Sequence, residues 1–329
     1  MANMVFDVHV HIAQVACHPA TDRFLLDRKN WYLRRFLGQL GFTRDLLRRP
    51  EANELICRKL ADWIAASNID RVVVLAMDGA YDLEGRPDLL HTRWVTDNDF
   101  VAGLAQRHPS ILFGASVHPY RADALDELRR VVARGACLVK WIPSAQRIRP
   151  DHPRCIPFYE LLAEYRVPLL VHTGNEHASS RSLNDWNDPA LLRVAIERGV
   201  TVIAAHCGAR VFLHERCRFN TFRNMALEYE NLYGDLGAFG IPTRLSVLRA
   251  MQKDDRLLSK IIYGSDFPAW VMPRWFIFSI GPKAVREILR EANPLERPYR
   301  LMKALGMPRE VFSRAATLLR QKAESGGVR

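Results

Sequence analysis

Much that would assign this chain to a familiar class is missing from it. No apolar run approaches the roughly 18 residues of a membrane span, and the N-terminal MANMVFDVHVH lacks a basic stretch followed by a long apolar one, so no secretory leader is expected there. The six cysteines (17, 57, 137, 155, 207 and 217) form no Cys-x-x-Cys pair. Without an export signal they are expected to stay reduced, which points to the cytoplasm. No repeat, low-complexity tract, zinc-finger spacing or helix-turn-helix signature is present, and no glycine-rich phosphate loop follows the first apolar run. The formal net charge is +11. Without a nucleic-acid-binding motif this reads as a solvated basic surface suited to attracting small anionic substrates, not as a nucleic-acid or membrane partner.

What is present is a 329-residue chain, 48% hydrophobic, ample for a core. Eight short, β-branched-rich runs stand out: Met4–Val8, Arg71–Met77, Ile111–Val117, Ala136–Trp141, Pro168–His172, Thr201–His206, Leu232–Leu236 and Ile261–Ser265. Runs such as Val72-Val73-Val74-Leu75 are apolar on both faces, as parallel strands covered on both sides require. Helical spacing fills the gaps, over 54–67, 98–107, 123–134, 157–165, 189–198 and 243–251, and Asn68, Gly135 and Gly199 read as helix ends. Eight alternations of strand and helix predict an α/β fold, a (β/α)8 barrel in one domain over 1–329. A long loop over 12–50, holding Trp31, Tyr32, Phe36 and Leu37, and a C-terminal helical extension over 267–329, with helices near 295–305 and 308–322, are added to it. The 12–50 segment is a candidate lid or homodimer contact.

A barrel keeps its active site at the C-terminal ends of its strands, and the residues there are unusually ionisable. His9 and His11 end the first run. His118 ends the third, Lys140 lies in the fourth, His172 ends the fifth, His206 the sixth, and Asp266 follows the eighth. Burying so many ionisable groups side by side is costly unless something compensates, and a divalent cation is the simplest compensation. Imidazoles with one carboxylate suit Zn2+ first, with Mn2+, Fe2+, Co2+ or Ni2+ also compatible. An open position on such an ion holds a water whose pKa falls from about 15.7 towards 7. His118, Arg210 and His177 are candidate substrate contacts. Asp7 is a candidate for orienting a ligand, and Glu176 for a loop over the pocket.

The combination of His9-x-His11, Val-His172-Thr-Gly, Ala-His206-Cys-Gly and Tyr-Gly-Ser-Asp266-Phe-Pro resembles the amidohydrolase superfamily, over essentially the whole chain. Within it, these phrases are similar to the branch of aminocarboxymuconate-semialdehyde decarboxylases and related hydrolases. The resemblance implies one metal held by His9, His11, His172 and Asp266, with His206 beside it as an acid/base or polarising group. Lys140 departs from the decarboxylase pattern. It stands where two-metal relatives carry a carboxylated lysine, in which case His172 and His206 hold a second ion. The alternative is an unmodified Lys140 that binds a substrate carboxylate. The expected activity is hydrolysis of a small amide, lactone or ester by a metal-activated water, with Asp266 and His206 as catalytic residues. Non-oxidative decarboxylation or hydration of an unsaturated acid is the alternative.

Overall fold

The computed structural model describes residues 4–26, 37–38, 40–177 and 183–319. Trp31, Tyr32 and Phe36, together with residues 320–322 of the expected last helix, lie outside the described residues. Eight parallel strands pair in the order β1-β2-β3-β4-β5-β6-β7-β8. They are β1 Phe6–His11, β2 Arg71–Leu75, β3 Ile111–Ala115, β4 Leu138–Trp141, β5 Leu169–His172, β6 Val202–Ala205, β7 Leu232–Asp235 and β8 Ile261–Ile262. The seam closes beyond β8: the Val8 amide donates to the Tyr263 carbonyl at 3.2 Å and the His11 amide to the Phe267 carbonyl at 2.8 Å, with a parallel bridge between Val10 and Phe267. This is the expected (β/α)8 barrel.

Alternation along each strand sorts side chains into two layers. Phe6, Val8, Val73, Leu75, Leu138, Leu170, Ile203 and Ile262 face inward and pack as one cluster, plugged from below by Ala315 and Leu319 of the C-terminal segment. Val10, Val72, Val74, Val139, Trp141, Val171 and Val202 face outward into the larger core shared with the helices. The inner cluster fills the lower barrel, so the next inward positions, Lys140 above Leu138 and His172 above Leu170, form its upper layer.

β1 departs from simple alternation. It begins at Phe6 and runs through both histidines, and its register against β2 slips between Asp7 and Val10. The extra residue is a bulge. Phe6 and Val8 point inward below it; His9 and His11 point inward above it, while Val10 and Ile12 turn to the outer core.

Several helices match the sequence pattern, among them Asn98–Arg107, Ala124–Ala133 and Ile156–Glu164. Gly135 and Gly199 follow helix ends with φ of 94° and 81°, the left-handed conformation that glycine adopts without a Cβ penalty. The expected 189–198 helix is instead a 3-10 turn, Pro189–Leu192, running into a single α-turn, Arg193–Ile196. The two longest helices absent from the sequence reading are Phe219–Glu228, and Ile277–Arg290, bent at Gly281-Pro282; shorter ones, such as Pro19–Leu25 and Asp255–Leu258, are absent from it too. Glu296–Ala304 is as expected, whereas the last expected helix divides into Arg309–Ser313 and Ala315–Leu318. Among the described residues no helix is long and apolar enough to cross a membrane, and all six cysteines are free.

Candidate metal centre

His9 is the hub of the barrel mouth. Its Nδ1–H donates to Asp235 Oδ2 at 2.7 Å. A carboxylate only accepts, so this bond puts the His9 proton on Nδ1 and leaves the Nε2 lone pair facing the barrel axis. Around that lone pair stand Lys140 Nζ at 3.0 Å, Asp266 Oδ1 at 3.1 Å and His11 Nε2 at 3.2 Å. His11 Nε2 is also 3.5 Å from Asp266 Oδ1. His206 joins from β6, and one ligand atom from each of His9, His206 and Asp266 lies within 4.8 Å of the others. His9 and Lys140 have no solvent exposure, and His206 and His172 have little.

Asp235, at the end of β7, is the residue the sequence reading missed. Besides holding His9, its Oδ1 accepts from the His206 amide at 2.8 Å and from the Gly237 amide at 2.9 Å. One buried carboxylate therefore ties β1 to the turns after β6 and β7. Its surroundings leave no room for further atoms. A Cβ at Gly237 would come within 2.9 Å of Asp235 Oδ1, and one at Gly264 within 2.8 Å of the His9 Cβ. The signal available was an acid, Leu-Tyr-Gly-Asp235-Leu, inside an otherwise apolar run. Asp7 plays a similar backbone role. Its Oδ1 accepts the amides of His9 at 3.1 Å and Ser265 at 2.8 Å, which anchors the two neighbouring strand ends without touching a ligand side chain.

The turns that carry His206 and Asp266 are strained. His206, Cys207 and Gly208 are consecutively left-handed, with φ of 64°, 52° and 67°, and Asp266 has φ 58°. Each non-glycine residue held there costs about 1–3 kcal/mol and persists only where its surroundings over-determine it. Such strain concentrates at functional sites. Cys207 Sγ turns away from the centre and donates to the Asp235 carbonyl at 3.3 Å. It is a core residue.

The chemistry of the donor set fits a cation. Two ligand atoms about 2.0–2.1 Å from a tetrahedral ion lie roughly 3.3 Å apart. The His9, His11 and Asp266 donors are separated by 3.1, 3.2 and 3.5 Å. The His9 lone pair also faces a carboxylate oxygen, two acceptors that need positive charge near them; Lys140 Nζ, 3.0 Å from the lone pair, supplies some of it, and a metal ion would supply the rest. His206 donates from Nδ1 to the Gly237 carbonyl at 2.9 Å, so its Nε2 accepts from His172 Nδ1 at 3.1 Å. The His172 proton is thereby placed on Nδ1, and its buried Nε2 lone pair has no hydrogen-bond partner among the described residues.

Electrostatics keep these groups in ligand form. Burial, with the nearby His9, pulls His11 down to about 4, and burial pulls His206 down to about 3 and His172 well below the usual histidine range. Burial alone would raise Asp266 and Asp235, but the neighbouring histidines more than offset it and hold both well below the usual carboxylate range. Burial lowers Lys140 to about 8.

The three candidate substrate contacts are not brought to this cluster. Burial holds His118 at about 3. Its Nε2–H donates to the Gln146 carbonyl at 2.8 Å and its Nδ1 accepts the Tyr120 amide at 3.1 Å, so both nitrogens are committed to backbone and the residue is a cap. His177 Nε2 pairs with Glu215 at 2.6 Å on the rim, with its side chain 44% exposed. Arg210 donates to the Leu213 carbonyl at 3.0 Å, beside a surface groove lined by Thr243, Ser246, Arg249 and Lys253. Glu176 is brought in, buried, with Oε2 3.9 Å from His172 Nδ1. Trp141 points outward as its neighbour Lys140 points inward, and its indole donates to the Val117 carbonyl at 2.8 Å.

Residues 6–287 match the family model described as amidohydrolase. No curated protein matches the chain. Among solved structures, an uncharacterised TIM-barrel protein from Bordetella bronchiseptica is similar, with a TM-score of 0.58 and 16% identity over 92% of this chain and 99% of that one. A 5-carboxyvanillate decarboxylase from Sphingomonas paucimobilis gives a TM-score of 0.55 and 12% identity over 97% and 100%. A probable 2-pyrone-4,6-dicarboxylic acid hydrolase from Acinetobacter baumannii, with citric acid bound, gives 0.51 and 13% over 93% and 100%. At these identities the likeness concerns the fold.

Proposed function

This chain belongs to the amidohydrolase family, and from that premise we propose that it is a metal-dependent hydrolase of a small amide, lactone or ester. The observation that carries the reading is the hub at His9: a lone pair fixed by Asp235 and met within 3.2 Å by Asp266, His11 and Lys140. His9, His11 and Asp266 would hold a divalent cation, zinc by preference, and His172 and His206 complete the set. When bound, the cation supplies Lewis acidity and lowers the pKa of a water at its open position.

The rest of the work falls to side chains. Asp266, ionised and 21% exposed, is the group at the mouth that can take the proton of an attacking water and return it to the leaving group. His206, neutral with its lone pair on Nε2, would orient the reacting oxygen or serve as a further ligand once it gives up the His172 Nδ1–H that this lone pair accepts. Lys140, fully buried with its pKa lowered to about 8, has enough neutral amine near pH 8 to react with carbon dioxide. As a carbamate it would hold a second ion; as an ammonium it would bind a substrate carboxylate. The same donor set would serve decarboxylation or hydration of an unsaturated acid, and the similar structures include a probable 2-pyrone-4,6-dicarboxylic acid hydrolase and a 5-carboxyvanillate decarboxylase. Lys140 favours hydrolysis, because as a carbamate it would hold a second ion, as in the two-metal relatives that this strand position resembles.

The test is a panel of lactones, amides, esters and unsaturated carboxylic acids, run with zinc-loaded wild type and Asp266→Ala. Hydrolysis of a panel member by wild type, abolished in a folded Asp266→Ala, is the expected result. Full activity in the variant would remove Asp266 from the mechanism, and turnover confined to unsaturated acids would select the alternative.

A further inference from the structure

One buried charge takes no part in the scheme above. Arg244 closes the 3-10 turn Pro242–Arg244 at the start of helix Leu245–Gln252 and is 2% exposed. Among the described residues no carboxylate pairs with it in a salt bridge. Its partners are main-chain carbonyls: Nη1 donates to Gly237 O at 2.8 Å, Nε to Arg210 O at 3.3 Å and Nη2 to Ala209 O at 3.5 Å, while its plane lies over the Phe239 ring at 5.7 Å. A buried guanidinium is an expensive way to fill space. A leucine or methionine would fill the volume; only a planar fork with several donors reaches three carbonyls at once.

All three carbonyls bear on His206. Ala209 and Arg210 directly follow the left-handed run His206-Cys207-Gly208, whose conformation needs outside support. The Gly237 carbonyl is the one that accepts the His206 Nδ1 proton at 2.9 Å. Its two lone pairs are thus taken by His206 and Arg244. If that carbonyl swings away, His206 loses the bond that decides its tautomer, and its Nε2 lone pair is no longer fixed towards the barrel mouth.

We propose that Arg244 is a positioning residue for His206: its guanidinium locks the Gly237 carbonyl and the backbone after the left-handed turn, so that the His206 proton stays on Nδ1 and Nε2 is kept as an acceptor towards His172 and the barrel mouth. The functional consequence rests on the reading of His206 as a working residue of the hydrolase site. The geometric claim does not.

The experiment uses metal-free, full-length protein labelled with 15N-histidine, as wild type, Arg244→Lys and Arg244→Met. Long-range 1H–15N spectra report the His206 tautomer and the exchange protection of its Nδ1–H. His118, buried and bonded to different carbonyl and amide groups, is the internal control. Wild type is expected to show one protected Nδ1–H tautomer at His206. Arg244→Met loses that protection by about tenfold or more, the equivalent of one hydrogen bond; Arg244→Lys, which can satisfy one carbonyl, loses it several-fold; His118 is unchanged in both. If Arg244→Met does not fold, Arg244→Lys decides on the same criterion. A wild-type His206 pattern in the folded variants overturns the proposal, as does an equal loss at His206 and His118, which would make Arg244 a general structural support. Failure of the hydrolase reading has a different signature: a protein that takes up no zinc and turns over nothing while the Arg244-dependent tautomer pattern persists.

Discussion

Replacing Asp235 by asparagine should damage the proposed metal centre without changing any of its candidate ligands. The carboxylate serves three donors, the His9 Nδ1–H and the amides of His206 and Gly237. Asparagine has one acceptor oxygen, so in either orientation its NH2 group faces an N–H. If the oxygen stays with the two amides, the NH2 meets His9 Nδ1 and drives the His9 proton to Nε2, where it occupies the lone pair meant for the cation. If the oxygen turns to His9, two buried amides lose their partner. A hydrogen bond to a charged group is worth about 1.5–3 kcal/mol, and every 1.4 kcal/mol is tenfold in affinity. The expected loss of zinc affinity is therefore about 10- to 100-fold, the range usual for residues that orient metal-bound imidazoles. Competition against a chromogenic chelator measures it, with thermal unfolding to confirm that the barrel remains folded. Affinity within twofold of wild type would refute the reasoning that Asp235 sets the His9 tautomer.

Other outcomes follow from the same geometry. Gly264→Ala puts a methyl group within 2.8 Å of the His9 Cβ; an overpacking cost of about 1–3 kcal/mol is expected in denaturant unfolding, together with weakened zinc binding. Leu170→Ala opens the inner barrel layer below His172 and should cost about 2–5 kcal/mol in the same assay. His118, held at about 3 by burial against the ordinary value near 6.5, binds a proton in the unfolded chain before it does in the folded one. Its contribution is fully present above pH 6.5 and is lost as pH falls from 6.5 towards 3, by up to about 1.4 kcal/mol per pH unit. A His118→Gln variant should therefore show a shallower fall of stability between pH 6 and 4 than wild type; equal slopes would contradict the assignment.

The barrel was legible because parallel strands buried on both faces leave nearly continuous apolar runs, and eight of them alternate with segments of helical spacing. Six of the ionisable residues at the mouth were legible for a related reason: a polar residue at the end of such a run is conspicuous. His9 and His11 were correctly paired, although simple alternation was not what paired them with the lower barrel. The bulge after Asp7 re-aims them, and a bulge leaves no mark in composition. Asp235 was passed over because it sits inside the apolar run 232–236, with Leu236 after it, and its importance lies in partners that include His9 and His206, both distant in sequence. Arg244 was hidden for the same reason: all its bonds go to carbonyls, which every residue has. His118 shares the strand-end signature of a ligand, and only the fold reveals that both its nitrogens are taken by backbone. The Ile277–Arg290 helix was obscured by Gly281-Pro282, which reads as a stop and acts as a bend. Phe219–Glu228 does carry apolar residues at helical spacing, at 219, 222, 225 and 226, and was readable.

The central claim is that the imidazoles and the carboxylate at the barrel mouth share a cation. Elemental analysis of protein purified without chelator, and again after saturation with zinc and removal of the excess, tests it most directly. At least one ion per chain in wild type, falling to none in a folded His9→Ala/Asp266→Ala double variant, is the predicted result. A folded wild-type protein that retains no ion after saturation, or a double variant that retains as much as wild type, would contradict it.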